Sequence, residues 1–213
     1  MSRPEQLRQE YESTARAAHY RDDRWTRSAR ARRTHAKELA LVDGLVQRCR
    51  QIQQSPRLDW ALDLPCGNGR FRSVLESHCT QLLSVDAAFE MLTAAPCTCQ
   101  LQASAHALPL VNNAADLILC SRLLHHFETS DERQAVLGEL ARVSKRWVVL
   151  SYFDQACFQA WRNRLRGKFR GRFPIAAAQF AREIQAAGFE ERARHYICRG
   201  FSEQVWVLLE FAA

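Results

Sequence analysis

No stretch of this chain reaches the roughly 18 consecutive apolar residues that a membrane-spanning helix needs. The opening MSRPEQLRQEYE also lacks the apolar centre of a secretory signal. The expectation is a cytoplasmic protein that is not integral to a membrane. Internal repeats and low-complexity linkers are missing too, and 213 residues at 47% hydrophobic content suffice for one sizeable core. The C-x-C of Cys97 and Cys99 has neither a second pair nor a neighbouring histidine, so the pattern for tetrahedral zinc is absent and no metal is expected. The eight cysteines are scattered through apolar or strand-like stretches of a chain too long to need disulfide staples, which reads as reduced thiols.

Basic residues are in excess at both ends. Net charge is +7 overall, but by segment it is +6 over residues 1–57, −3 over 58–150 and +4 over 151–213. The basic flanks suit phosphate groups, acidic substrates or an anionic membrane surface, or else form solvated helix faces.

Along the chain, strand-like runs alternate with helix-length segments. Strands are expected at Leu58 to Leu64, Gln81 to Val85, Cys99 to Ala103, Ala115 to Cys120 and Arg146 to Ser151, with two more around Tyr196 to Cys198 and Val205 to Phe211. The first fifty residues read as helix, with Leu39, Val42, Leu45 and Val46 at helical spacing. Thr129 and Glu132 have the spacing of a capping box, followed by Val136, Leu137, Leu140 and Val143 on one face. A last helix is expected in PIAAAQFAREIQAAGF, with Pro174 in its first turn and Gly188 at its stop. The pattern predicts an α/β fold: a doubly wound, seven-stranded, mostly parallel Rossmann-like sheet closed by an antiparallel terminal hairpin. Residues 1–57 are read as a helical extension packing on a core domain of residues 58–213.

The exit of the first strand, DLPCGNGR, is the most informative stretch. In a doubly wound sheet, ligands bind at the carboxyl ends of the strands. Glycines there allow close approach of the backbone, and the following helix presents free N–H groups. A dinucleotide fingerprint would need a third glycine where Arg72 stands, and the G-K-[ST] ending of a P-loop is absent. Two acids, Asp63 and Asp86, end the first and second strands instead, which suits a ligand with hydroxyls and a positive charge.

These motifs resemble those of the class I S-adenosylmethionine-dependent methyltransferases, of the type acting on small molecules. Asp63, Gly67 and Gly69 match the family's D-x-G-x-G-x-G. Asp86 matches the acid that binds the ribose hydroxyls, DAAFEML resembles D-x-S-x-x-M-L, and QASAHALPL is similar to the segment lining the adenine. The resemblance covers about Leu58 to Ser151 and implies S-adenosylmethionine as cofactor. It carries cofactor contacts onto Asp63, Pro65, Cys66, Gly67, Asn68, Gly69, Arg70, Asp86, Ala87, Met91, Ser104, Ala105 and Cys120. Pro65 departs from the family's first glycine, and Ser104 stands where an aspartate often contacts the adenine amino group.

The acceptor is less defined. Transfer of a methyl group from a sulfonium is an in-line displacement, which requires alignment and, for a hydroxyl acceptor, a base. His125, His126 and Tyr152 are the candidate bases, and Tyr20, Trp25, Arg122, Arg166 and Arg170 the candidate substrate contacts. In WRNRLRGKFRGRFP, basic and apolar residues alternate, as in a lid for an anionic or lipid-like substrate or in a solvated loop. The leading expectation is methylation of a small or lipid-like acceptor at oxygen, with no stable nucleic-acid partner. The alternatives are RNA or protein as acceptor, and a non-catalytic module that binds the cofactor and regulates a partner.

Overall fold

Side chains alternate between the two faces of a strand. In β4 (Ala115–Cys120) Leu117 and Leu119 join one hydrophobic cluster, while Ile118 and Cys120 join another. Burial on both faces marks a central strand. The computed structural model, which describes residues 27–94, 99–167 and 171–211 together with Glu5 and Trp25, builds a seven-stranded sheet around it.

The other strands are β1 (Leu58–Asp63), β2 (Cys79–Asp86), β3 (Gln100–Gln102), β5 (Ser144–Phe153), β6 (Phe189–Tyr196) and β7 (Gln204–Phe211). Their order is β3-β2-β1-β4-β5-β7-β6. The first five in that order are parallel, and β7 runs antiparallel to both β5 and β6. The doubly wound, mostly parallel sheet with an antiparallel terminal hairpin is therefore the observed architecture.

Helices α1 (Ala29–Gln53) and α2 (Arg72–His78) cover one face, where Val42, Leu45, Val46 and Leu75 pack against Leu117, Leu119, Trp147 and Trp206. Ser28 caps α1 by accepting the Ala31 N–H at 3.1 Å. The opposite face is covered by α4 (Ser130–Val143) and α6 (Ala177–Ala186). Thr129 and Glu132 form the full capping box at the start of α4, and Val136, Leu137, Leu140 and Val143 are its buried stripe. Burial of each such side chain contributes about 1.5–3 kcal/mol. Two short helices, α3 (Phe89–Ala94) and α5 (Phe158–Leu165), follow β2 and β5. No described helix is long and apolar enough to cross a membrane.

Two local expectations are corrected. The sixth strand lies at Phe189–Tyr196 and not around Tyr196 to Cys198. Gly188, at φ +83°, ends α6 and turns the chain straight into a strand whose exposed side carries Glu190 and Arg192. Pro174 is outside α6, whose N-cap is Ala176; the neighbouring Ile175 instead donates its N–H to the Phe153 carbonyl at 2.7 Å. None of the described cysteines, Cys49, Cys66, Cys79, Cys99, Cys120, Cys157 and Cys198, is in a disulfide.

Candidate active site

The strand order reverses between β1 and β4, and the loops leaving the carboxyl ends of these strands flank the switch point. The loop after β1 is tied on both sides. Leu64 N–H donates to the Leu119 carbonyl at 2.9 Å, and Cys66 N–H to the Val85 carbonyl at 2.8 Å. The Leu64–Pro65 peptide is cis. Gly67 and Gly69 adopt φ +54° and +72°, a region that costs an L-residue with a Cβ roughly 1–2 kcal/mol. A Cβ on Gly67 would meet Met91 Cε at 3.4 Å, an ordinary packing distance. Backbone conformation is therefore the physical reason for glycine in the turn.

Asp86 holds the turn in place. Its Oδ2 accepts the Gly67 N–H at 2.9 Å, and its Oδ1 the Ala88 N–H at 3.0 Å. An ionised carboxylate has about four lone-pair sites, so these donors and that of Ala87 leave room for a hydroxyl. Burial raises the Asp86 carboxyl above its ordinary range, against the opposing pull of these backbone donors.

Asp63 differs from Asp86 in having no such donors. It is 1% exposed, and neither carboxylate oxygen has a hydrogen-bond partner among the described residues. Burial, reinforced by the Asp86 charge, holds its carboxyl well above the usual range. A buried acceptor without a donor is costly, and this one ends β1 just before the glycine turn. The arrangement fits a group that brings a positive charge and hydroxyls together.

The other expected cofactor residues lie in the turn after β1, on the segments that follow β2 and β3, and at the end of β4. Met91 is buried against Ala88, Ala87 accepts the Gln102 side-chain N–H at 3.1 Å, and Ala103 N–H ties the end of β3 to the Asp86 carbonyl at 3.1 Å. Ala105 is buried next to Ser104, whose hydroxyl accepts the His106 N–H at 3.3 Å and keeps its own hydrogen to donate. Cys120 ends β4 fully buried; burial and Asp63 raise its thiol pKa. Pro65, Asn68 and Gly69 are half-buried in the turn.

A charged cluster that the sequence did not reveal joins α1 to this site. Glu38, 0% exposed, pairs with Arg70 from the glycine loop and with Arg122 Nη2 at 2.8 Å. Arg70 lies over the Trp25 ring at 3.7 Å and donates to His35 Nδ1 at 2.9 Å; Arg122 lies 4.8 Å from the same ring. Burial and Arg70 lower the His35 pKa, with Glu38 opposing. Arg122 follows β4 at φ +57°, unusual for a residue with a side chain, and its N–H donates to Ser151 Oγ at 2.8 Å.

The three candidate bases separate. His126 is half-buried, whereas His125 is buried, stacked on Phe153 with ring centroids 3.7 Å apart and tilted against His126 at 4.3 Å. Tyr152 departs from expectation: it lies at 0% exposure in the core, stacked on Phe180 at 4.1 Å, and burial raises its phenol pKa well above 10. In that position it reaches no acceptor and holds its proton. Glu203, also unforeseen, is buried near Arg172 and Arg122, and burial raises its pKa against both arginines. Arg166 is exposed at the end of α5, apart from the cluster. Tyr20 and Arg170 lie outside the described residues, as does Cys97.

Comparison with known proteins agrees with this geometry. Residues 62–150 match the family model described as a methyltransferase domain. No curated protein matches the chain by sequence. Magnesium protoporphyrin IX methyltransferase from Synechocystis PCC 6803, solved with bound SAH, superposes with TM-score 0.77 at 15% identity over 99% of this chain and 100% of that one. Its structure with bound SAM gives TM-score 0.74 at 14% identity, over 100% and 98%. A SAM-dependent methyltransferase from Thermotoga maritima, described as a possible histamine N-methyltransferase, gives TM-score 0.60 at 15% identity, over 84% and 91%. At these identities the likeness is one of fold.

Proposed function

We propose, from the premise that the chain is an S-adenosylmethionine-dependent methyltransferase with the class I fold, that it methylates a small or lipid-like acceptor carrying an anionic group, at oxygen. The observation that carries the cofactor assignment is Asp63: a buried carboxylate without a donor of its own, beside a turn opened by two glycines. The cofactor, when bound, supplies a methyl group on a positively charged sulfur.

The chain's own residues divide the work. Asp63 receives the amino group of the cofactor, and the remaining lone pairs of Asp86 receive the ribose hydroxyls. The Gly67 to Gly69 backbone lies against the methionine part, and Met91, Ser104 and Ala105 border the adenine. On the acceptor side, Arg122 offers a buried Nε with no hydrogen-bond partner among the described residues, a donor suited to a carboxylate or phosphate. His126 takes the acceptor's proton as the new oxygen–carbon bond forms and the sulfur–carbon bond breaks; His125, wedged on Phe153, orients it.

Titration calorimetry with S-adenosylmethionine and S-adenosylhomocysteine tests the cofactor site, with Asp63→Asn and Asp86→Ala as controls. A screen of anionic phenols and lipids, read by the mass gain of one methyl group, then tests the acceptor. Methyl transfer to RNA or to a protein in the same assay, and to none of the small acceptors, would replace the acceptor reading while leaving the cofactor site intact.

A further inference from the structure

Seven large hydrophobic residues are strongly exposed among the described residues, and four of them, Phe158, Trp161, Leu165 and Phe201, belong to α5 and the β6–β7 loop. Positions 158, 161 and 165 recur on one face of α5. Phe158 lies 5.7 Å from Trp161 and 6.5 Å from Phe201 between ring centroids. The two segments are fastened together, since the Phe158 N–H donates to the Gly200 carbonyl at 2.8 Å. A cluster of this kind, unlike isolated exposed apolar residues, marks an interaction surface.

Charge says what it meets. At about 100° per residue, Arg162 and Arg164 flank the apolar stripe of α5 on either side. Both are exposed, as is Arg199 on the adjoining loop. Neither residues 155–167 nor residues 195–202 contain an Asp or Glu, and the acids that border them, Asp154 and Glu203, are buried. We propose that this aromatic cluster, ringed by arginines, docks the protein on the surface of an anionic lipid bilayer. The exposed part of four such side chains is on the order of 500 Å², short of the ~800 Å² per partner of a stable protein interface. It matches the insertion of a few aromatic and aliphatic side chains at the headgroup boundary, with cations held above anionic lipids. The surface adjoins the carboxyl end of β5, so a docked molecule would present its acceptor side near the bilayer. The inference goes beyond the acceptor reading and does not depend on it, because binding is measured with no acceptor present.

The test is co-sedimentation of the full chain with vesicles of phosphatidylcholine alone and with phosphatidylglycerol added. Binding is expected to the mixed vesicles, weakened by salt. It should fall roughly tenfold or more in Trp161→Ser/Phe201→Ser and in Arg162→Gln/Arg164→Gln, with S-adenosylmethionine affinity unchanged in both. All four residues are exposed, so both variants should fold, and either one suffices to decide. Absent binding to the mixed vesicles, equal binding to neutral ones, or binding that neither variant weakens would overturn the proposal. So would a dimer in light scattering that Trp161→Ser dissolves, which would assign the surface to a second copy of the chain.

Discussion

Glu38 and Arg122 stand 84 positions apart in the chain and meet at 2.8 Å. The contact ties α1 to the loop that follows β4, and the same carboxylate pairs with Arg70 in the glycine turn. Glu38→Ala leaves two guanidinium groups without their counterion. It is expected to lower stability by about 3–5 kcal/mol, the usual cost of breaking a buried pair. Glu38→Gln, which keeps one acceptor, should fall between wild type and Ala in denaturant unfolding.

Asp86→Ala removes both the acceptor for the cofactor hydroxyls and the anchor for the Gly67 and Ala88 N–H groups. Cofactor affinity should drop beyond detection, and stability should fall by about 1–3 kcal/mol from the unsatisfied donors. A variant with unchanged affinity in calorimetry would remove Asp86 from the site.

At Gly67 the backbone sets the cost more than the neighbour does. Gly67→Val is expected to lose roughly 1–2 kcal/mol through its left-handed φ, together with cofactor binding. Met91→Ala in the same chain should restore neither, because the 3.4 Å contact with Met91 Cε is ordinary packing. Recovery of binding in that double variant would show that bulk, and not backbone conformation, excludes the side chain.

The raised Asp63 pKa makes a signed prediction. A carboxyl whose folded pKa lies above its unfolded value stabilises the fold at low pH, and that contribution is lost as pH rises through the folded pKa. Asp63→Asn should therefore raise the neutral-pH stability of the ligand-free protein and flatten its pH dependence above the ordinary carboxyl range. The cationic amino group of the cofactor favours the charged carboxylate, so binding should release a proton. Calorimetry in two buffers of different ionisation enthalpy reads that release; its absence would take Asp63 out of the site.

His126→Ala should lower kcat by roughly 100-fold or more with KM little changed, as expected for loss of a general base. Because His125 is buried on Phe153, His125→Ala should lower stability as well as rate. Wild-type turnover in both variants would end the assignment of a histidine base.

Much of the fold was legible because its central strands are nearly continuous apolar runs, bounded by turn residues. β4 was read to the residue, and α4 announced itself through Thr129 and Glu132. β6 was missed for the opposite reason: FEERARHY borders the sheet and carries charge on its exposed side, so an apolar-run criterion passes over it. The position of Asp63 and Asp86 at the ends of adjacent strands was legible. That of Glu38 was not, since an acid in an arginine-rich helix looks solvated until the partners brought by the fold are seen. Tyr152 was misjudged because a strand end is close to the loops in sequence, while its alternation turns this side chain into the core.

The position of β7 bears on how the molecule is made. It follows β6 in the chain, yet it lies between β5 and β6. While residues 204–211 are still within the ribosome, β5 has an open edge and β6 has no neighbour to pair with. The parallel strands can assemble as they emerge, but the hairpin side of the sheet cannot. A pause in translation shortly before Gln204 would hold the nascent chain with a long apolar strand edge exposed, the state in which a partly made sheet is most prone to aggregate and most dependent on chaperones.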